Sequence, residues 1–312
     1  MADDSSTRVD SRDLGPAEYL AYSVLSVYHE EGSGELGRTA YHKLTTLADR
    51  YLRNERGIDV GLPSYWYFYG ETIRESAFEE QIAFSPTSNH RQGRAYYPAE
   101  RIDESDFSNV DTELKREVRS AAWRVVEEHG SKGWRELEAL QYREYSPNDF
   151  VASYRDLREV LNAKSKTHRQ QSSLSAHGDA WRKTNVTSVL DTMVERFPAE
   201  EYELLYDEYL LWDDTFRLLV DAETPATELR EFLEEMIEAV SVVYLRFQRH
   251  QHIEPRTIQM WAREAREKPA AFKSSVESKR TEAIELTEST GALEDVAESY
   301  NETILEEIED LD

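Results

Sequence analysis

The chain contains no cysteine, which excludes disulfide cross-links, thiolate nucleophiles and cysteine-ligated metals. Glycine is scarce, 12 in 312 residues. Neither a Walker loop nor a Gly-x-Gly-x-x-Gly run occurs, so the usual phosphate cradles are missing. No apolar run approaches the roughly 18 residues of a membrane span. The opening MADDSSTRVDSRD lacks the basic and apolar regions of a secretory signal. A soluble, cytoplasmic chain with no membrane partner is the expectation.

Catalytic and metal motifs are equally absent. There is no His-Glu-x-x-His, and no Glu stands three residues before a His, the spacing that places two ligands on one helix face. His250 and His252 form a close pair, read here as a helix end whose dipole favours them. His29 beside Glu30 and Glu31 reads the same way. Glu113 and Lys115 have a nuclease-like spacing but sit at a capped helix start instead of on a strand. Asp213-Asp214 is ordinary in so acidic a chain. No catalytic residue, metal ligand or cofactor is assigned, and the reading leans away from an enzyme. An unrecognised hydrolase or nuclease is the alternative.

What the chain has in excess is negative charge. Lys and Arg number 37 against 63 Asp and Glu, a net charge of −26. Self-repulsion of that size destabilises a compact chain at low salt, whereas at about 1 M salt the Debye length falls to about 3 Å and screens it. The acidic composition resembles that of haloarchaeal proteins, and a halophilic chain is the expectation.

Residues 1–14 are polar and aperiodic, a disordered tail. Pro16 opens a helix with an apolar face of Tyr19, Leu20, Val24, Val27 and Tyr28, closed by Gly32-Ser33-Gly34. The most informative stretch is 37–70. Tyr41, Leu44, Leu47, Ala48, Tyr51 and Leu52 recur every three or four residues, one face of a helix. Gly57, Gly61 and Pro63 break it, and Ser64-Tyr65-Trp66-Tyr67-Phe68-Tyr69 suits a strand or tight hairpin. Alternation along a strand puts Tyr65, Tyr67 and Tyr69 on one face, a candidate partner-binding surface. Helix, turn and aromatic wing together give a winged-helix-like pattern. A short helix is expected over 71–84, and a β-wing or crossing loop over 85–109. Helices follow from Asp111 or Thr112 to His129, over 134–142, and over 150–161 behind Asn148 or Asp149.

Residues 162–185 are polar and locally +4, with Lys164, Lys166, Arg169, Arg182 and Lys183 against Asp179 alone. They form a basic hinge and, with Arg38, Lys43, Arg50 and Arg53, the candidate contacts for nucleic acid or another anion. Beyond it, from Thr184 to Asp312, 12 basic residues face 32 acidic ones. That half reads as helical throughout. One stripe holds Tyr202, Leu205, Tyr206, Tyr209, Leu210, Phe216 and Leu219, and a cleaner one runs from Leu229 to Phe247. A third helix from Pro255 is interrupted near Pro269. The long charged helices to the end suit self-association as a coiled coil.

Three fragments in order carry a family resemblance: HKLTTLADRYL from His42, YWYFYGET from Tyr65, and RVVEEHGSKGWRELEALQYREYSP from Arg124. Together they resemble the small helical antitoxin domain of the SocA/Panacea type over residues 17–160. Gly70-Glu71 stands where that family has Gly-Pro, and 85–109 and the C-terminal half have no counterpart. The resemblance implies a regulatory binder rather than a catalyst. The fold expected is mainly α: a helical, winged-helix-like domain with a short β element at 15–161, the hinge at 162–185, and an acidic helical domain at 186–312. The function expected is a regulatory or adaptor protein, antitoxin-like or transcription-regulator-like, with a protein or DNA as partner.

Overall fold

The computed structural model describes residues 14–32, 34–74, 95–96, 102–167 and 175–309, and for 95, 163–167, 175–184 and 289–309 the backbone alone. The expected N-terminal tail, most of the 71–84 helix and most of the 85–109 segment lie outside the described residues. The molecule is mainly helical with small antiparallel sheets. It divides into two compact units: Met1–Ser146 with Leu245–Gln259, and Pro147–Tyr244 with Met260–Asp312. Among the described residues no helix is long and apolar enough to cross a membrane.

In unit 1, Pro16 sits in the first turn of α1 (Pro16–Glu30), where a missing N–H costs nothing. The Glu18 carboxylate accepts the Gly15 amide at 3.0 Å, satisfying one orphan donor of that turn. α1 packs on α2 (Arg38–Tyr51) and on α3 (Thr112–His129), which Asp111 caps by accepting the Glu113 amide at 2.8 Å. Leu20, Val24, Leu44, Ala48, Val118 and Ala122 close the core between them. β1 (Leu36–Gly37) pairs with β4 (Ala95–Tyr96), and the His29 imidazole lies 2.8 Å from the Tyr96 carbonyl. α2 runs into one wide turn, Leu52–Arg56, which Gly57 ends at φ +67°.

After that turn, β2 (Ser64–Tyr67) and β3 (Gly70–Ile73) form a hairpin, and α4 (Trp134–Tyr145) packs against it. The helix expected from Glu71 is therefore strand up to Ile73. A third strand completes this sheet: after a helical turn, α9 (Arg246–Gln248), β5 (His250–Gln251) pairs antiparallel with β2. The expected helix end at His250 and His252 is thus a strand and a turn. His252 adopts φ +52°, with its ring 2.9 Å from the Asp59 carboxylate.

Unit 2 starts where Asn148 accepts the Val151 amide at 3.0 Å and opens α5 (Asp149–Thr167). α6 (Ser175–Arg196), α7 (Tyr206–Asp221), α8 (Ala226–Val240) and the portion of α10 (Pro255–Glu309) from Met260 complete it. The first unit's opening stretch ends at Ser146, and α5 belongs to the second unit. The reason is that Phe150, Val151, Tyr154, Leu157 and Leu161 of α5 are buried side chains that α6 and α8 cover. The 162–185 segment itself is helical up to Thr167 and again from Ser175. The unit is held by stacked aromatic rings, with Phe197 and Tyr209 at 4.1 Å, and by the Trp212 indole donating to the Phe232 carbonyl at 3.1 Å. α10 continues through Pro269 without a break, contrary to the expected interruption. Proline removes one amide donor from a helix, and Phe272 and Val276 beyond it are buried.

Candidate functional site

α2 has two buried faces. Tyr41, Leu44 and Ala48 go to the apolar core, whereas His42, Lys43, Thr46 and Asp49 turn towards the rest of unit 1 and are equally enclosed. Lys43 is 2% exposed. Its ammonium donates to the Tyr69 carbonyl and, at 2.9 Å, to the Glu71 carbonyl. The Tyr142 hydroxyl of α4 donates to the Phe68 carbonyl, so three carbonyls at and beside the β2–β3 turn are bound from the body of the unit. Turn carbonyls ordinarily face water, and an interior donor for each removes that freedom.

Gly70 is required at this turn for two reasons. It adopts φ +90°, which side chains rarely tolerate, and a Cβ there would lie 2.7 Å from Gln141 Oε1 and 3.0 Å from Lys43 Nζ. Gln141 is fixed by donating to Thr46 at 2.8 Å. Charge around the ammonium is balanced. Arg50 pairs with Glu71 at 2.5 Å, Arg53 pairs with Asp49 at 2.8 Å, and Ser64 donates to Glu71 at 3.1 Å. Burial lowers the Lys43 pKa to about 7, against the pull of Glu138 and Glu71. Burial, with help from Arg38 and Lys43, drives His42 down to about 3, and the ring sits 2.7 Å from the Thr72 hydroxyl. Asp49 is raised to about 6 by burial, opposed by Arg53.

The hairpin displays a run of aromatic rings. Trp66 alone points inward, against Tyr142 at 5.4 Å. Tyr65 and Tyr67 lie 6.2 Å apart, Tyr67 and Phe68 4.7 Å, Phe68 and Tyr69 4.0 Å, and Tyr69 and Trp134 6.4 Å. Tyr65, Tyr67, Phe68 and Tyr69 are half-buried and Trp134 is 37% exposed, so these rings form a ridge.

Tyr65 and Tyr67 share a strand face as expected from alternation, while Tyr69 belongs to the turn. Of the expected anion contacts, Arg38 is exposed at the start of α2. The Lys43 ammonium is enclosed, and Arg50 and Arg53 are held on carboxylates. Lys164, Lys166, Arg182 and Lys183 lie on α5 and α6 with side chains that are not described, and Arg169 lies outside the described residues. Trp134, Glu138, Gln141 and Tyr142 come from a helix some 65 residues beyond the hairpin, and no local pattern marks them as its partners. Among the described residues no group of three or more His, Asp and Glu is placed to hold a metal ion. No family model, curated protein or solved structure matches this chain.

Proposed function

We propose that this chain is a non-enzymatic regulatory or adaptor protein that holds another protein against the aromatic ridge of unit 1. The observation that carries this reading is the pairing of partly exposed rings with a turn whose carbonyls are bound from within. Large aromatic surface fixed before binding loses little conformational entropy on docking, the property that makes Tyr and Trp dominant at protein interfaces. In this reading α2 and the hairpin serve as a winged-helix-like mount. The antitoxin-type resemblance over residues 17–160 points the same way, since such domains are regulatory binders. A grip on duplex DNA has less support, because contacts to phosphates need free cations and Lys43, Arg50 and Arg53 are engaged inside the unit.

The test is a photo-crosslinking amino acid placed at Tyr67 or at Trp134, in cells that naturally make the protein. A single dominant protein adduct is expected from both positions, with none from the exposed Arg116 on α3. Adducts with DNA, or the same adducts from Arg116, would refute the reading.

A further inference from the structure

Three large apolar side chains stand in solvent within seven residues of unit 2: Leu204 at 63% exposure, Tyr206 at 40% and Leu210 at 36%. Tyr206 and Leu210 are one turn apart on α7 and share a face. Their exposure is built in. The Leu204 amide donates to the Tyr244 hydroxyl at 2.7 Å, and the Tyr244 ring stacks at 4.4 Å on the buried Tyr202. Tyr206 leans on Phe197, with centroids 6.0 Å apart. A rigid aromatic base thus fixes the turn that carries Leu204 outward. Single exposed leucines are ordinary, whereas three large exposed apolar side chains within seven residues on a fixed base mark an interaction surface.

The segment that carries this patch is strongly acidic from Phe197 onward, with the exposed Arg196 just before it. From Phe197 to Leu211 the chain holds Glu200, Glu201, Glu203, Asp207 and Glu208, and no Lys or Arg. We propose that Leu204, Tyr206 and Leu210 form a docking surface for a cationic amphipathic helix of a partner protein, with apolar side chains on the patch and Lys or Arg against the acidic rim. Complementary charge of this kind raises the encounter rate and sets orientation, while the apolar contact supplies the hold. A second copy of this chain would bring acidic rim against acidic rim, and a phosphate-bearing partner would meet the same repulsion. This surface is on unit 2 and stands independently of the ridge on unit 1.

The probe is a fluorescent amphipathic peptide of about 14 residues built from Leu and Lys, titrated into the full chain at about 0.1 M and about 1 M salt. Binding is expected to weaken about tenfold in the Leu204→Ser/Leu210→Ser variant. It should weaken several-fold, with a flatter salt dependence, in Glu203→Gln/Asp207→Asn/Glu208→Gln. Met260→Ser, an exposed apolar position on α10, should match the parent and so controls for general attraction to an acidic protein. Equal binding by the parent and Leu204→Ser/Leu210→Ser would overturn the proposal, as would equal binding of a peptide with Glu in place of Lys. Sedimentation of the same samples closes the remaining route: a dimer abolished by Leu204→Ser/Leu210→Ser would assign the patch to a second copy and overturn the proposal too.

Discussion

Both units bury aromatic rings, and they differ in the charge they bury. Unit 1 encloses charge: Lys43, Asp49, Glu71 and Glu138 are all inside it, and its hairpin turn is held by hydrogen bonds from Lys43 and Tyr142. Unit 2 buries Tyr202, Tyr209, Trp212 and Phe216, as unit 1 buries Tyr19, Trp66 and Phe107, but Asp213 is its one buried carboxylate among the described residues, held by Arg217 at 2.8 Å. Buried rings stabilise through contact area and tolerate some adjustment. A buried ion network gains little net stability, yet it penalises any geometry that leaves one member unpaired. Unit 1 therefore trades stability for a fixed hairpin, and the aromatic ridge is what that hairpin presents.

The largest effects should come from removing the central group of each interior. Lys43→Met leaves the Tyr69 and Glu71 carbonyls without their donor and the carboxylates in excess, a loss of about 3–5 kcal/mol. Trp212→Ala should lose a similar 3–5 kcal/mol or so through cavity formation. Urea denaturation followed by hydrogen exchange should assign the first loss to unit 1 and the second to unit 2. A Lys43→Met variant as stable as the parent would erase the contrast.

Glycines sharpen it at smaller scale. Gly57 and Gly70 both have positive φ, but a Cβ at Gly57 meets nothing within 4 Å whereas one at Gly70 strikes Gln141. Gly57→Ala should cost about 1 kcal/mol from backbone strain alone. Gly70→Ala should cost at the upper end of about 1–3 kcal/mol or beyond, read as the difference in urea midpoints.

Acid and base should act on unit 1 through the same network. His42 falls to about 3 from 6.5, so between those values the unfolded chain takes up a proton that the folded one refuses. Stability from this group is complete above pH 6.5 and is lost as pH falls towards 3. Lys43 falls to about 7 from 10.5, so unit 1 should gain stability as pH rises from 7 to 10.5. The neutral amine keeps two N–H donors for its two carbonyls, so the turn stays bound. Asp49, raised to about 6 from 3.8, works in the opposite sense to His42 over that interval. Thermal midpoints across this range should show both rises, with His42→Asn flattening the lower and Lys43→Met the upper.

The smallest expected effect is that of salt. Raising it from about 0.1 M to about 1 M shrinks the Debye length from about 10 Å to about 3 Å. Unit 2 should gain more stability from this, because it holds 16 basic against 35 acidic residues, whereas unit 1 holds 21 against 28. Equal gains in both units would count against self-repulsion as the source.

Helices were readable from the sequence because three- and four-residue spacing is local, and the caps at Pro16, Asp111 and Asn148 are local too. The hairpin was readable in its first strand, from the aromatic run, but not in β3, where Glu71 looked like a helix start. Charge alone argues for solvent at Lys43, yet the fold encloses it. Thr46, Leu47 and Arg50 share its helix face, and only the arrival of α4 and the hairpin encloses that face. Tyr206 and Leu210 failed in the other direction, since their spacing matched the apolar stripe that the fold fills with Tyr209, Trp212 and Phe216. β5 was invisible because two residues carry no period of their own, and pairing with β2 makes them a strand.

The decisive property is whether the hairpin turn is fixed before any partner arrives. Hydrogen exchange of the free protein at the amides of residues 66–73 measures this. Protection close to that of α2, lost in Lys43→Met, is the predicted result. Exchange at the rate of an open loop in the parent protein would contradict a preformed ridge.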